Sequence, residues 1–183
     1  MPNTSETRPA ASNVMEYSRP DWDTYFIAIA IMAATRSTCL RRQVGAVITR
    51  DRQIISTGYN GAPSRTAHCL ETGCLREVLG VPSGERQEMC RGSHAETNAI
   101  AQAARMGIAT DGATVYCTHE PCSLCTKVIL NAGIVRVVYM REYADKLAVD
   151  LREEAGVKFE RFPADKADAA AKWMWHSYVM FKE

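Results

Sequence analysis

No apolar run in this chain approaches the roughly 18 residues that a membrane-crossing helix requires, so no such helix is expected. The N-terminus is polar and lacks the basic-then-apolar order of a secretory leader, which points to a cytoplasmic protein. Charge of one sign is missing too: the formal net charge is +1 over 183 residues. That balance removes any global electrostatic case for nucleic acid and leaves only a local basic patch open. There is no internal repeat and no second core-forming block, so one domain is expected. Residues 1–20, rich in Pro, Ser, Thr and Asn, show no core-forming pattern and read as a loosely ordered tail.

Cysteine is what the chain has in excess. The count is 7, an odd number that argues against a complete disulfide framework and, in a reducing compartment, for metal. Two of them stand in Pro121-Cys122-Ser123-Leu124-Cys125, downstream of His94-Ala95-Glu96. Cys122 and Cys125 are three apart and share a face if Pro121 opens a helix there. One imidazole (His94) and two thiolates (Cys122, Cys125) fill three positions of a tetrahedral zinc site. The fourth stays open for water, the arrangement of a catalytic centre. Glu96 is the carboxylate placed to carry protons for that water. His-x-Glu followed by Pro-Cys-x-x-Cys is the signature of zinc nucleobase deaminases.

The elements around these motifs follow from periodicity. Asp21 caps a helix with an apolar face through Trp22, Phe26, Ile29 and Ala33. Val44–Ile48 and Gln53–Asn60 form a hairpin across Asp51-Arg52. His94–Met106 and Pro121–Asn131 are the metal-bearing helices. Strands over 113–118, 134–140 and 157–162, with a helix over 145–155, give parallel crossovers. Cys117 is expected to be a buried apolar group on the first of these strands. Lys166–Met180 reads as a terminal helix whose Trp173, Trp175 and Tyr178 pack on the body or on a partner subunit.

Between them, residues 62–93 show no periodicity, and a loop of that length needs a tether or a function. Cys39, Cys69, Cys74 and Cys90 can form a closed second zinc site that staples this excursion to the first helix. His68 competes with Cys69 as a ligand, and free thiols or a disulfide are the other readings. Arg41 and Arg42 are a solvated strand edge or an anion contact beside the cleft. His119 is a turn residue or a neighbour of the sugar-phosphate.

Ser37-Thr38-Cys39, Val44-Gly45-Ala46-Val47, Gly58-Tyr59-Asn60-Gly61, His94-Ala95-Glu96-x-Asn98-Ala99-Ile100 and Pro121-Cys122-x-x-Cys125 together resemble the cytidine deaminase superfamily. Within it, the Gly-Tyr-Asn-Gly turn and the cysteine-bearing insert are similar to the deoxycytidylate (dCMP) deaminases. The resemblance spans roughly 22–162. It implies an α/β fold: a three-layer α-β-α sandwich around a five-stranded mixed sheet. The deaminase domain would run over 21–163 with a zinc-stapled insert at 61–93, and 164–183 would be a helical extension. It implies dCMP deamination to dUMP, homo-oligomers (hexamers or trimers), and control by dCTP as activator and dTTP as inhibitor, bound with magnesium. It implies that the Ala95 N–H meets the base O2, the Thr118 carbonyl holds the amine and Asn60 binds the sugar. Tyr139 and Tyr143 would line the nucleotide pocket, with Tyr139 in the core and Tyr143 on the surface as the other reading, and Gly61 and Asn98 would belong to the effector site. The second zinc would take Cys39, Cys69, Cys74 and Cys90, with a cysteine at 74 where relatives often carry histidine. Deamination of dCTP, a tRNA adenosine deaminase and a zinc-stabilised interaction protein without catalysis are the alternatives. The retained Glu96 and the missing positive charge argue against the last two.

Overall fold

The computed structural model describes residues 19–168. The tail expected over 1–20 and the helix expected over 166–180 therefore lie largely outside the described residues, although 164–168 are helical.

Five strands form one sheet in the order β2-β1-β3-β4-β5. β1 (Gly45–Arg50) and β2 (Gln53–Tyr59) make an antiparallel hairpin, with Asp51 and Arg52 both at positive φ in the turn. β3 (Thr114–His119) runs antiparallel to β1 and parallel to β4 (Arg136–Arg141), which is parallel to β5 (Lys158–Arg161). This is the expected mixed sheet.

Strand alternation sends the side chains into two cores. Val115 and Cys117 of β3 and Val137 and Tyr139 of β4 join Ala95, Ala99, Cys125 and Ile129 on one face. The helices there are α4 (Ala95–Arg105) and α5 (Ser123–Asn131). Tyr116 and Val138 point the other way, onto Phe26 and Ile27 of α1 (Trp22–Ala34) and onto Phe162. α6 (Lys146–Glu154) packs beside α5. Each fully buried Ile or Val contributes on the order of 1.5–3 kcal/mol, so these two layers carry most of the stability.

The insert is less shapeless than its sequence suggests. It holds two single-turn helices, α2 (Cys69–Thr72) and α3 (Leu75–Val78), and a 3-10 turn at Gln87–Met89. Its two ends meet: Gly61 N–H donates to Ser93 O at 3.1 Å, and Ser93 N–H to Gly61 O at 2.8 Å. Helical turns this short leave too little apolar period to read from sequence.

Asp23, in the first turn of α1, ties that helix to the sheet. Its carboxylate accepts from Arg136 Nη1 and Nη2 at 2.9 and 2.8 Å and from the Tyr116 hydroxyl at 2.7 Å. Arg136 also pairs with Glu160. The Arg136 guanidinium outweighs the cost of burial and holds the Asp23 carboxyl below its ordinary 3.8. A depressed carboxylate stabilises the fold above its unfolded pKa, and the gain is lost as acid protonates it. Asp23→Asn should therefore cost about 1–3 kcal/mol near neutral pH. The gap to wild type should narrow as pH falls below 3.8. Urea unfolding at several pH values checks this, and a gap that does not depend on pH would show that the ionised form of Asp23 contributes nothing.

Candidate metal centre and active site

Two helix N-termini meet at one point. His94 is the N-cap of α4 and Cys122 the N-cap of α5, each with extended backbone angles. Pro121 thus lies one position before the cap rather than opening the helix, and Cys122 projects from the cap while Cys125 projects from the first turn. His94 Nδ1 lies 3.2 Å from Cys125 Sγ and 3.4 Å from Cys122 Sγ. Zinc–nitrogen and zinc–sulfur bonds of about 2.0 and 2.3 Å at tetrahedral angles put N and S roughly 3.5 Å apart, so the three donors fit zinc. Among the described residues, theirs is the one group of three or more such ligand atoms lying within 4.8 Å of one another.

Local sequence explains why α4 begins where it does. A Cβ on Gly58 would come within 2.2 Å of the Ala95 carbonyl, so only glycine lets the first turn of α4 lie flush on β2. Ser56 Oγ donates to Ala99 O at 2.8 Å, and Asn98 Nδ2 to Tyr59 O at 2.8 Å. On α5, the N–H of Ser123 donates to Asp145 Oδ2 at 2.7 Å. The same carboxylate caps α6 through Ala148 N–H at 3.1 Å, so one residue fixes two helix starts.

The two thiols are pulled in opposite directions. Cys122 is pulled well below the ordinary thiol range by its bond with Cys125 and, after that, by His94. Cys125 is pushed up by the neighbouring Cys122 sulfur and by burial. Thr97 Oγ1 lies 3.6 Å from Cys125 Sγ. A divalent ion held by these donors would take both sulfurs as thiolates. His94 is raised, chiefly by its bond to Cys122 and despite burial; the charge of Arg76 opposes the rise. Glu96 is 4% exposed, and burial raises its carboxyl while the positive charge of His94 holds it back. Glu96 stands outside the compact donor group, as a proton carrier should rather than a ligand.

A cavity of about 120 Å³ opens beside this centre, and Glu96, Ala95, Asn60, Gly61 and Tyr143 line it. As the first residue of α4, Ala95 has an N–H with no carbonyl four residues back to accept it. Asn60 is largely committed: its Oδ1 accepts from Val44 N–H at 2.8 Å and Ser37 Oγ at 2.7 Å, and its Nδ2 donates to Arg42 O at 2.8 Å. Tyr143 bridges the insert, donating to Gly84 O and accepting from Gln87 Nε2, both at 2.7 Å. Its own N–H donates to Glu120, which is held by Arg152 at 2.6 Å.

One expected pocket residue, Tyr139, takes its alternative place in the core. Tyr139 pairs in register with Cys117 and so points into the core on the α4–α5 side. Thr118 is buried at the end of β3, where its Oγ1 accepts from Gly45 N–H at 3.2 Å, and it lines a neighbouring groove with His119, Arg42 and Arg141. Burial, with Arg141 and Arg42 close by, lowers His119 to about 4. Gly61 is pressed against Thr38, whose Oγ1 would be 2.8 Å from an added Cβ.

All seven cysteines are free. Cys117 is fully buried, as expected. Cys39, Cys69, Cys74 and Cys90 line the same cavity on its insert side. Burial and the other three thiols raise Cys69, which places the four near one another, though less tightly than the first centre. His68 is exposed while Cys69 is buried, so Cys69 is the one turned toward the other thiols.

The sequence matches, over residues 20–141, the family described as the cytidine and deoxycytidylate deaminase zinc-binding region. The chain belongs to that family. It is 45% identical to the deoxycytidylate deaminase of Mycobacterium phage D29 over 130 residues, 68% of this chain and 98% of that one. It is 42% identical to ComE operon protein 2 of Bacillus subtilis over 149 residues, 81% of this chain and 75% of that one. Among solved structures it is similar to dCMP deaminase from the cyanophage S-TIM5 in complex with dCMP and dUMP. The TM-score is 0.64 at 28% identity, covering 80% of this chain and 100% of the other. No helix among the described residues is long and apolar enough to cross a membrane.

Sequence reasoning missed Asp145 as a double cap, Tyr143 as the support of the insert and Arg76 on the cavity wall. An Asp ahead of a helical run signals one cap, but nothing in the sequence signals its second partner.

Gly58→Ala should push α4 off β2, because the nearest atoms are backbone and cannot swing away. A loss of about 1–3 kcal/mol is expected from overpacking, together with less zinc bound per chain as His94 shifts. Thermal melting and metal analysis check both, and wild-type values for the two would show that the close approach is dispensable.

Proposed function

We propose that this chain deaminates dCMP, giving dUMP and ammonia. The observation that carries the reading is a buried carboxylate, Glu96, at the edge of the His94–Cys122–Cys125 donor group and open to a cavity. The deoxycytidylate deaminases it resembles supply the substrate class. Zinc, when bound by those three residues, supplies the Lewis acidity that brings the pKa of a water toward roughly 7. Glu96 takes a proton from the attacking water, gives it to N3 of the ring and then passes one to the departing amine. The Ala95 N–H would hold O2 of the base. Asn60 keeps one N–H for the sugar while its remaining bonds fix the end of the hairpin.

Cys39 and the three insert thiols, Cys69, Cys74 and Cys90, would hold a second, structural zinc. Their chemistry suits a closed four-thiolate site, which has no open position for water. Control by dCTP and dTTP with magnesium, an effector site at Gly61 and Asn98, and a hexamer or trimer in the cytoplasm belong to the same reading through the family resemblance. So does a division into an N-terminal tail, a deaminase domain and a C-terminal extension.

A substrate panel tests the activity. Wild type should release ammonia from dCMP with kcat/KM far above that for deoxycytidine, dCTP or a tRNA anticodon stem-loop. Glu96→Ala should keep its zinc and lose turnover by at least about 10²-fold, the usual worth of a positioned proton carrier. Near-native turnover in that variant would remove Glu96 from the chemistry.

Metal analysis tests the second centre: two zincs per wild-type chain are expected. Cys90→Ser should hold fewer and unfold more readily, because zinc at such a site contributes folding free energy. Cys117→Ser should leave the count unchanged. One zinc in fully loaded wild type, or two in the Cys90 variant, would overturn the ligand set.

A further inference from the structure

The two helix starts that make the metal centre are built alike. On α4 the N-cap is His94 and the third helical residue is Thr97; on α5 the same two places are held by Cys122 and Cys125. Residues three apart on a helix share a face, so His94 and Thr97 turn together toward α5, while Cys122 and Cys125 turn toward α4. Three of these four side chains are the donor group. The fourth, Thr97, places its Oγ1 3.6 Å from Cys125 Sγ. Glu96, one residue earlier, is rotated by about 100° on the helix and lines the cavity instead. A threonine inside a helix commonly turns its hydroxyl to the carbonyl four residues back. For Thr97 that carbonyl belongs to Ser93, and it accepts from the Gly61 N–H at 3.1 Å where the insert closes. Among the described residues the Thr97 hydroxyl has no hydrogen-bond partner but Cys125, and Cys122 meets no hydroxyl at all.

Cys125 is 1% exposed, so solvent is not there to solvate its sulfur. A buried sulfur that carries charge needs a donor. A thiolate has no proton to give, so in the metal-loaded centre the hydroxyl must donate and the sulfur accept. We infer that Thr97 is a positioning residue of the metal centre: its hydroxyl donates to the Cys125 thiolate and sets how tightly zinc is held and how much charge that sulfur passes to the metal. Such a bond stabilises the thiolate over the thiol, which favours metal binding. It also draws charge from the sulfur, which leaves the metal a stronger Lewis acid. Of the two sulfur ligands only Cys125 is tuned in this way, so the pair is unequal. The inference rests on the zinc centre and not on which nucleotide the cavity takes.

Thr97→Val removes the hydroxyl and keeps the branching at Cβ. In full-length protein, chelator competition should show zinc held about 10- to 100-fold more weakly than in wild type, the usual cost of removing an outer partner of a metal ligand. In cobalt-substituted protein, the thiolate-to-metal charge-transfer absorption should move to longer wavelength, because a sulfur without its hydrogen bond gives up charge more easily. The other thiolates are common to both proteins, so the difference spectrum isolates Cys125. Turnover of dCMP should fall through kcat with KM little changed. Thr97→Ser keeps the hydroxyl and should restore all three readings. If Thr97→Val does not fold, Thr97→Ala, of higher helix propensity, carries the same measurements. A wild-type zinc affinity, absorption or kcat in the hydroxyl-free variant would overturn the role. Defects that Thr97→Ser does not repair would overturn it as well, by reducing Thr97 to packing. A wild-type enzyme that leaves dCMP unchanged would remove the substrate reading, and the zinc and cobalt measurements would still decide Thr97.

Discussion

Everything at the site depends on two helices starting within bonding distance of each other. A helix start is where backbone N–H groups lack partners and where the dipole favours negative charge. Here α4 contributes His94 and Glu96 and α5 contributes Cys122 and Cys125. The thiol at the α5 cap is the more acidic of the two, drawn down by its bond with Cys125 and by His94. The sheet enforces the meeting. α4 is seated on β2 by the bare backbone of Gly58, and α5 is held by the carboxylate of Asp145.

The same geometry separates roles among residues that titrate close together. The sulfurs and the imidazole are drawn into one donor group, while Glu96 stays in the first turn of α4, buried and beside the cavity. With a metal held by those three donors, such a carboxylate would stay free to exchange protons in both directions, as the proposed hydrolysis at a ring carbon requires. The cavity wall opposite is built mostly by the insert, with Tyr143 as its strut.

Much of this was legible in the sequence because the chemistry is local. His94, Glu96, Cys122 and Cys125 sit in two short motifs, and the strands and long helices follow their periods. Boundaries slipped by a residue or two where a cap stands in place of a helical position, as at His94 and Cys122. What escaped was set by contacts between distant segments. The orientation of Tyr139 depends on strand register, not on its neighbours in sequence. The burial of Arg76 depends on how the insert folds back, and a helix of one turn leaves no pattern to announce it.

The paired bonds between Gly61 and Ser93 close the excursion at its base. The body thus fixes where the insert leaves and returns, and Tyr143 and Arg41 hold its interior at Gly84, Gln87 and Val81. Once the ends are joined, each doubling of a flexible loop adds only about 0.6 kcal/mol of closure entropy. Added length in the insert is therefore cheap to accommodate so long as the two anchor residues and the segment that walls the cavity keep their places.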